Sequence, residues 1–182
     1  MHDVGVIGDE YNPKHPYIQE MLAIKNAAYA ELLATHGRPI TGAIEFVRDL
    51  SRQYNLDDYN GIASTATRPD VLTFLGMTGL NDLIPNHHVI AYEDVERPKP
   101  DPEGFNKAFL SLELPEKHRS RVFAFEDDPR GMLAARKAGL MVCAITTRYT
   151  REFLQTVEAK PDFIADNYAE FRRLFSLPCL LE

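Results

Sequence analysis

Five short apolar runs constrain this chain most: GIAS at 61–64, HVIAY at 88–92, VFAF at 122–125, MVCAIT at 141–146 and FIA at 163–165. They are apolar throughout rather than alternating, which is the pattern of strands covered on both faces. Between most of them lie stretches of helical period, Pro69 to Met77, Pro102 to Leu112, Pro129 to Ala138 and Arg151 to Ala159, with Tyr168 to Phe175 last. Strands separated by helices indicate an α/β fold with a Rossmann-like, mostly parallel sheet. Ligands in such sheets gather at the carboxyl ends of the strands, so the residues that close each run are the ones to read for chemistry.

The chain has 182 residues, 45% of them hydrophobic, enough for one core with a small appendage rather than two full domains. Its formal charge of −7 excludes a general nucleic-acid surface, which needs clustered Lys and Arg, so any bound anion must be held locally. Cys143 and Cys179 form neither a disulfide framework nor a metal knuckle and read as reduced packing residues. The opening MHDVGVIGDE lacks the features of a signal peptide, and no apolar run approaches the roughly 20 residues of a membrane span. The expectation is a soluble, cytoplasmic protein with neither nucleic acid nor membrane as partner.

Three strand ends carry polar groups. GIAS runs into Ser64, Thr65, Ala66, Thr67, Arg68 and Pro69. Hydroxyls beside a helix N-terminus either cap the helix or, with its free N–H groups, cradle a phosphate. After HVIAY comes RPKPDP, where Pro98 and Pro100 restrict the backbone around Lys99, as suits a lysine that must point one way; the alternative is an ordinary loop lysine. VFAF ends in Glu126, Asp127 and Asp128 before Pro129. One acid suffices to cap a helix, and several together repel unless a cation sits among them, so hard oxygen ligands for Mg²⁺ are the better reading. Hydroxyl, fixed lysine and acids, in that order, describe a phosphate bound across Mg²⁺ with the lysine neutralising charge.

The order GIASTATR, RPKPDP, VFAFEDDPRGMLAARKAGL resembles motifs two, three and four of the haloacid dehalogenase-like (HAD) hydrolases, in the β-phosphoglucomutase and phosphoglycolate phosphatase branch. The similarity runs from about Lys25 to Asp166. The resemblance implies that Ser64 hydrogen-bonds the transferred phosphoryl group, Lys99 stabilises its charge, Asp127 ligates Mg²⁺ and Glu126 acts through the metal's shell. Thr65 joins Ser64, and Arg68 and Arg97 are weaker candidates for second phosphate contacts. Asp128 stands where many relatives carry Ser, and the resemblance gives it no role. TGAIEFVRDLSRQY is similar to the helix that re-enters the core from the cap, which sets expected domains of a partial helical cap at 1–40 and an α/β core at 41–182.

Upstream, Ile18, Met21, Leu22, Ala28 and Leu32 follow a 3, 4 spacing, and Lys25 falls on their stripe. Burying an ammonium without an anion costs several kcal/mol, so either its stem snorkels to water or it faces a ligand. KNAAY resembles the end of the family's cap, where such a lysine reaches the substrate.

The family's nucleophile, an aspartate opening D-x-D-G-T, has no match in these 182 residues. Its strand sits mid-sheet, and losing about five buried apolar side chains at roughly 1.5 to 3 kcal/mol each rivals a domain's whole stability of about 5 to 15 kcal/mol. Three explanations stand open: a fragment or misassigned start, a natural derivative that binds without turnover, or replacement of the strand by VGVIGDEYNP or by another chain or segment. In VGVIGDEYNP, Asp9 would be the nucleophile, with Tyr11 where the second aspartate belongs; a plain loop is the preferred reading, and Asp3 fits less well. A complete member would transfer phosphoryl groups from a small phosphorylated metabolite with Mg²⁺, through an aspartyl phosphate. For this chain the expectation is low or no turnover, with a phosphate-ligand or partner-binding module as the alternative. A response-regulator receiver is disfavoured because its acids come first and its lysine last.

Overall fold

The computed structural model describes residues 15–176. VGVIGDEYNP, with Asp9 and Asp3, and Cys179 lie outside the described residues. Two compact units divide between Gly37 and Arg38.

The first unit contributes helix α1 (Pro16–His36), which starts with a proline in its first turn and the His15 ring accepting from the Tyr17 N–H. Its apolar residues do not make one covered stripe. Ile18, Leu22 and Leu33 are half-buried, whereas Met21, Ile24 and Leu32 are exposed. Lys25 is exposed too, its Nζ 5.2 Å from the centroid of the Tyr29 ring, so the burial cost anticipated from the stripe is not incurred.

Each of the five apolar runs of the second unit becomes a strand, in the order α2 (Ala43–Tyr54), β1 (Ile62–Ala63), α3 (Arg68–Thr78), β2 (Val89–Ile90), α4 (Glu103–Ser111), β3 (Phe123–Glu126), α5 (Pro129–Lys137), β4 (Met141–Ile145), α6 (Arg151–Thr156), β5 (Phe163–Ala165) and α7 (Tyr168–Leu174). Helix α6 stops short of the expected Ala159 because Val157 turns extended and the Thr156 hydroxyl bonds back to the Phe153 carbonyl. All pairing is parallel, as continuous apolar runs require: Ile62 opposite Val89, Glu126 opposite Ala144, Ala144 opposite Ile164. The strands form two groups, β1-β2 and β3-β4-β5; among the described residues β1 and β3 each pair on one side only.

The middle strand β4 is the most enclosed, with Val142, Cys143 and Ala144 fully buried. Burial pushes the Cys143 thiol up to about 12, with the nearby Asp162 charge adding to it, which leaves a packing residue rather than a reactive one. On one face, Met132, Ala134, Ala135 and Ala138 of α5 pack with Phe105 and Phe109 of α4. Alanines let the helix approach the sheet closely. On another, Phe46 of α2 meets Phe125 of β3 edge-on at 5.3 Å and stacks 5.7 Å from Phe171 of α7. Each such ring contributes roughly 1.5 to 3 kcal/mol through burial. Arg172 of α7 reaches Asp49 of α2 at 2.6 Å beside them. Gly42 precedes α2 at φ 78°, a left-handed conformation that glycine adopts without strain.

Candidate active site

The three polar strand ends close on one place, and Lys99 joins them. Its Nζ donates to the Ala63 carbonyl at the end of β1 (2.9 Å) and to Glu126 Oε1 at the end of β3 (2.5 Å). The stem lies over the Phe105 ring, Nζ 4.7 Å from its centroid. The two prolines are only part of what aims it. Arg130 of α5 donates to the Lys99 carbonyl at 2.5 Å, and Glu103 at the start of α4 accepts from the N–H groups of Glu96 and Arg97 at 3.1 and 3.0 Å. Lys107 bonds Glu103 at 2.6 Å. That bond first, and then the two backbone N–H groups, hold the Glu103 carboxyl down at about 2.

Glu126 and Lys99 expose only 10% and 17% of their side chains. Burial pushes the Glu126 carboxyl up, Lys99 opposes this, and the Asp127 and Asp128 charges reinforce it. A tight approach to α5 is built in: a Cβ on Gly131 would collide with the Glu126 carboxylate and displace it from Lys99.

Ser64 continues β1 by donating its N–H to the Ile90 carbonyl (2.8 Å), and its Oγ accepts from the Ala66 N–H (3.0 Å). Its hydroxyl hydrogen has no protein acceptor among the described residues. Ser64, the exposed Thr65, Arg97 and Lys99 line one small cleft. The expected cradle at the start of α3 is only partly available, because Glu93 already accepts from the Arg68 N–H at 2.9 Å. Thr67 is the N-cap but makes no side-chain capping bond. The Arg68 guanidinium is committed elsewhere, to Asn86 Oδ1 (2.8 Å), the Val89 carbonyl (2.8 Å) and Asp94 (2.5 Å). It ties α3 to β2 and does not join Ser64 and Lys99. Arg97 is 72% exposed, near Asp101 and Glu103. Lys25 belongs to the other unit.

The acids do not form a cage. Among the described residues no three His, Cys, Asp or Glu side chains converge on one point. Glu126 turns to Lys99; Asp127 Oδ2 accepts from the Thr147 hydroxyl at 3.0 Å. Asp128 caps α5 through the Arg130 N–H (2.8 Å) and pairs with Arg148 at 2.9 Å. Part of their repulsion is thus relieved by separate protein partners. Asp127 Oδ1 remains open among the described residues. Mg²⁺ takes one or two carboxylates, substrate phosphate and waters rather than an all-protein cage, so this donor set fits it. Tyr168 stands nearby, its phenol pushed up by burial and then by the Asp127 charge.

The model of the haloacid dehalogenase-like hydrolase family matches residues 5–145 of the chain. The protein belongs to that family. It is 32% identical over 155 residues to validoxylamine A 7'-phosphate phosphatase of Streptomyces hygroscopicus subsp. limoneus, covering 83% of this chain and 66% of that relative. Its fold is similar to a HAD hydrolase of family IA, variant 3, from Entamoeba histolytica HM-1:IMSS: TM-score 0.71, 20% identity, 85% of this chain and 66% of that one. It is also similar to β-phosphoglucomutase from Clostridium difficile, with TM-score 0.65, 17% identity, and 87% and 65% of the two chains. This HAD-like chain therefore spans about two thirds of the length of these relatives. Among its described residues no helix is long and apolar enough to cross a membrane.

Sequence reading missed Arg130, Thr147, Arg148 and Tyr168. Thr147 and Arg148 close the fourth apolar run and could have been found by reading that strand end like the others.

Two outcomes test the Lys99 frame. Lys99→Met strands a buried carboxylate and should cost about 3 kcal/mol in chemical unfolding, the lower end for a broken buried pair because both groups retain some exposure. The double variant with Glu126→Gln should recover part of that loss. Glu103, whose carboxyl is depressed on folding, adds stability that is present above about pH 4.5 and lost as pH falls toward 2. The gap in thermal midpoint between wild type and Glu103→Gln should therefore narrow over that interval, whereas a constant gap would count against the clamp.

Proposed function

We propose that this chain is the phosphate-handling core of a Mg²⁺-dependent phosphoryl-transfer hydrolase acting on a small phosphorylated metabolite. The observation that carries this reading is the junction at Lys99, whose Nζ lies within hydrogen-bonding distance of both the β1 and the β3 strand ends. Among the described residues, Ser64 at the first end has a hydroxyl hydrogen to give and Asp127 at the second has an open carboxylate oxygen. A phosphoryl group lying between them would accept from Ser64 and be neutralised by Lys99, which costs little reorganisation because the ammonium is already fixed.

Asp127, with Glu126 behind it, would hold Mg²⁺, which when bound polarises the phosphoryl oxygens and offsets their charge. Thr65 borders the same cleft as a second hydroxyl. The committed bonds of Arg68 give it a supporting part, holding α3 against β2. Residues 1–40 would be part of a helical cap and 41–182 the α/β core, with Lys25 a substrate contact by family resemblance. A relative named for validoxylamine A 7'-phosphate supports a phosphorylated metabolite as the substrate class.

A second reading, a module that binds phosphorylated ligands or a partner without turnover, is favoured by one observation: the 182 residues contain no D-x-D-G-T. On that reading β1 and β3, each paired on one side only among the described residues, would take a strand supplied by another chain or segment.

Hydrolysis of p-nitrophenyl phosphate with and without Mg²⁺ separates the two. Mg²⁺-dependent release of nitrophenol, abolished in Asp127→Asn, is the expected signature of the hydrolase. Its further loss in Asp9→Asn would assign the nucleophile. No turnover alongside intact Mg²⁺ binding would leave the binding module.

A further inference from the structure

The turn that follows β4 reads Thr146, Thr147, Arg148, Tyr149, Thr150, and two of its side chains reach back to the acids that close β3. The parallel register explains how. Glu126 lies opposite Ala144, so the carboxyl ends of β3 and β4 stand side by side, and three more residues bring Thr147 alongside Asp127. The Thr147 hydroxyl donates to Asp127 Oδ2 at 3.0 Å. Next to it, Arg148 pairs with Asp128 Oδ2 at 2.9 Å, while Asp128 Oδ1 takes the Arg130 N–H at 2.8 Å. Both Asp128 oxygens are used, and that residue becomes a bracket between the start of α5 and the β4 turn.

Of the four carboxylate oxygens on Asp127 and Asp128, Asp127 Oδ1 alone has no partner among the described residues. A carboxylate whose second oxygen is already hydrogen-bonded is held in one rotamer, so it loses less side-chain freedom when it takes a metal. The Asp128–Arg148 pair keeps the turn in register and so keeps the Thr147 hydroxyl in place.

We propose that Thr147 is a positioning residue for Asp127, fixing the carboxylate so that Oδ1 faces the metal; this rests on the reading of Asp127 as a Mg²⁺ ligand. The role needs the hydroxyl and no charge. Serine can fill it, whereas valine, of the same shape, cannot.

The test is a titration of Mg²⁺ alone into the full chain, followed by the rise in thermal unfolding midpoint, with wild type, Asp127→Asn, Thr147→Val and Thr147→Ser in parallel. Thr147→Val should raise the Mg²⁺ concentration needed for half the stabilisation by roughly 10- to 100-fold, the usual effect of losing a group behind a metal ligand. Its metal-free midpoint should stay at the wild-type value, and Thr147→Ser should behave as wild type. If Thr147→Val responds to Mg²⁺ like wild type while Asp127→Asn does not respond, the positioning role is overturned and the metal reading stands. Equal weakening in the valine and serine variants also overturns it. A wild-type midpoint indifferent to Mg²⁺ overturns both.

Discussion

A single ammonium connects the ends of two strands that share no backbone pairing. Lys99 holds Ala63 of β1 and Glu126 of β3 at once, from a loop fixed by Arg130 and Glu103. Because β1 and β3 belong to different strand groups, this contact, together with the packing of Ala63 on the α4 and α5 core, relates the two halves of the site. The pair is mostly desolvated, and such a pair is poor evidence for net stability but strong evidence that both members must be present together. An unpartnered Lys99 or Glu126 there would be costly, whereas the two together place a fixed positive charge at the strand ends.

The acids show the same economy of partners. Read along the chain they are three adjacent charges; in the fold each has its own counterpart, Lys99 for Glu126, Thr147 for Asp127 and Arg148 with a helix N–H for Asp128. Of the two aspartates, only Asp127 keeps an open oxygen among the described residues. The result is a site that can accept a hard cation through very few protein oxygens, with the remainder of its coordination left to phosphate and water.

Local patterns in the sequence carried the elements well. Apolar runs without alternation became parallel strands, and prolines at 129 and 69 fell in the first turns of α5 and α3. Lys99 was legible because two prolines flank it, and Asp127 because it ends a buried run. What stayed hidden depends on partners distant in sequence. Arg68 reads as a phosphate contact until Asn86 and Asp94, 18 and 26 positions away, claim its guanidinium. Glu93 takes an N–H that the strand-end pattern offers to a ligand. Thr147 was within reach as a strand-end residue, but its pairing with Asp127 follows from the register of β3 against β4. On α1 the half-buried face runs through Ile18, Leu22 and Leu33, whereas Met21, Lys25 and Leu32 of the expected stripe are exposed.

The claim that Ser64, Lys99 and Asp127 serve one phosphoryl group is tested most directly by calorimetric titration of inorganic phosphate, with and without Mg²⁺. Wild type should bind phosphate more tightly when Mg²⁺ is present. Asp127→Asn should fall to the metal-free affinity, and Ser64→Ala should be weakened under both conditions. Phosphate binding that ignores Mg²⁺ and is unchanged in Ser64→Ala would contradict a shared site.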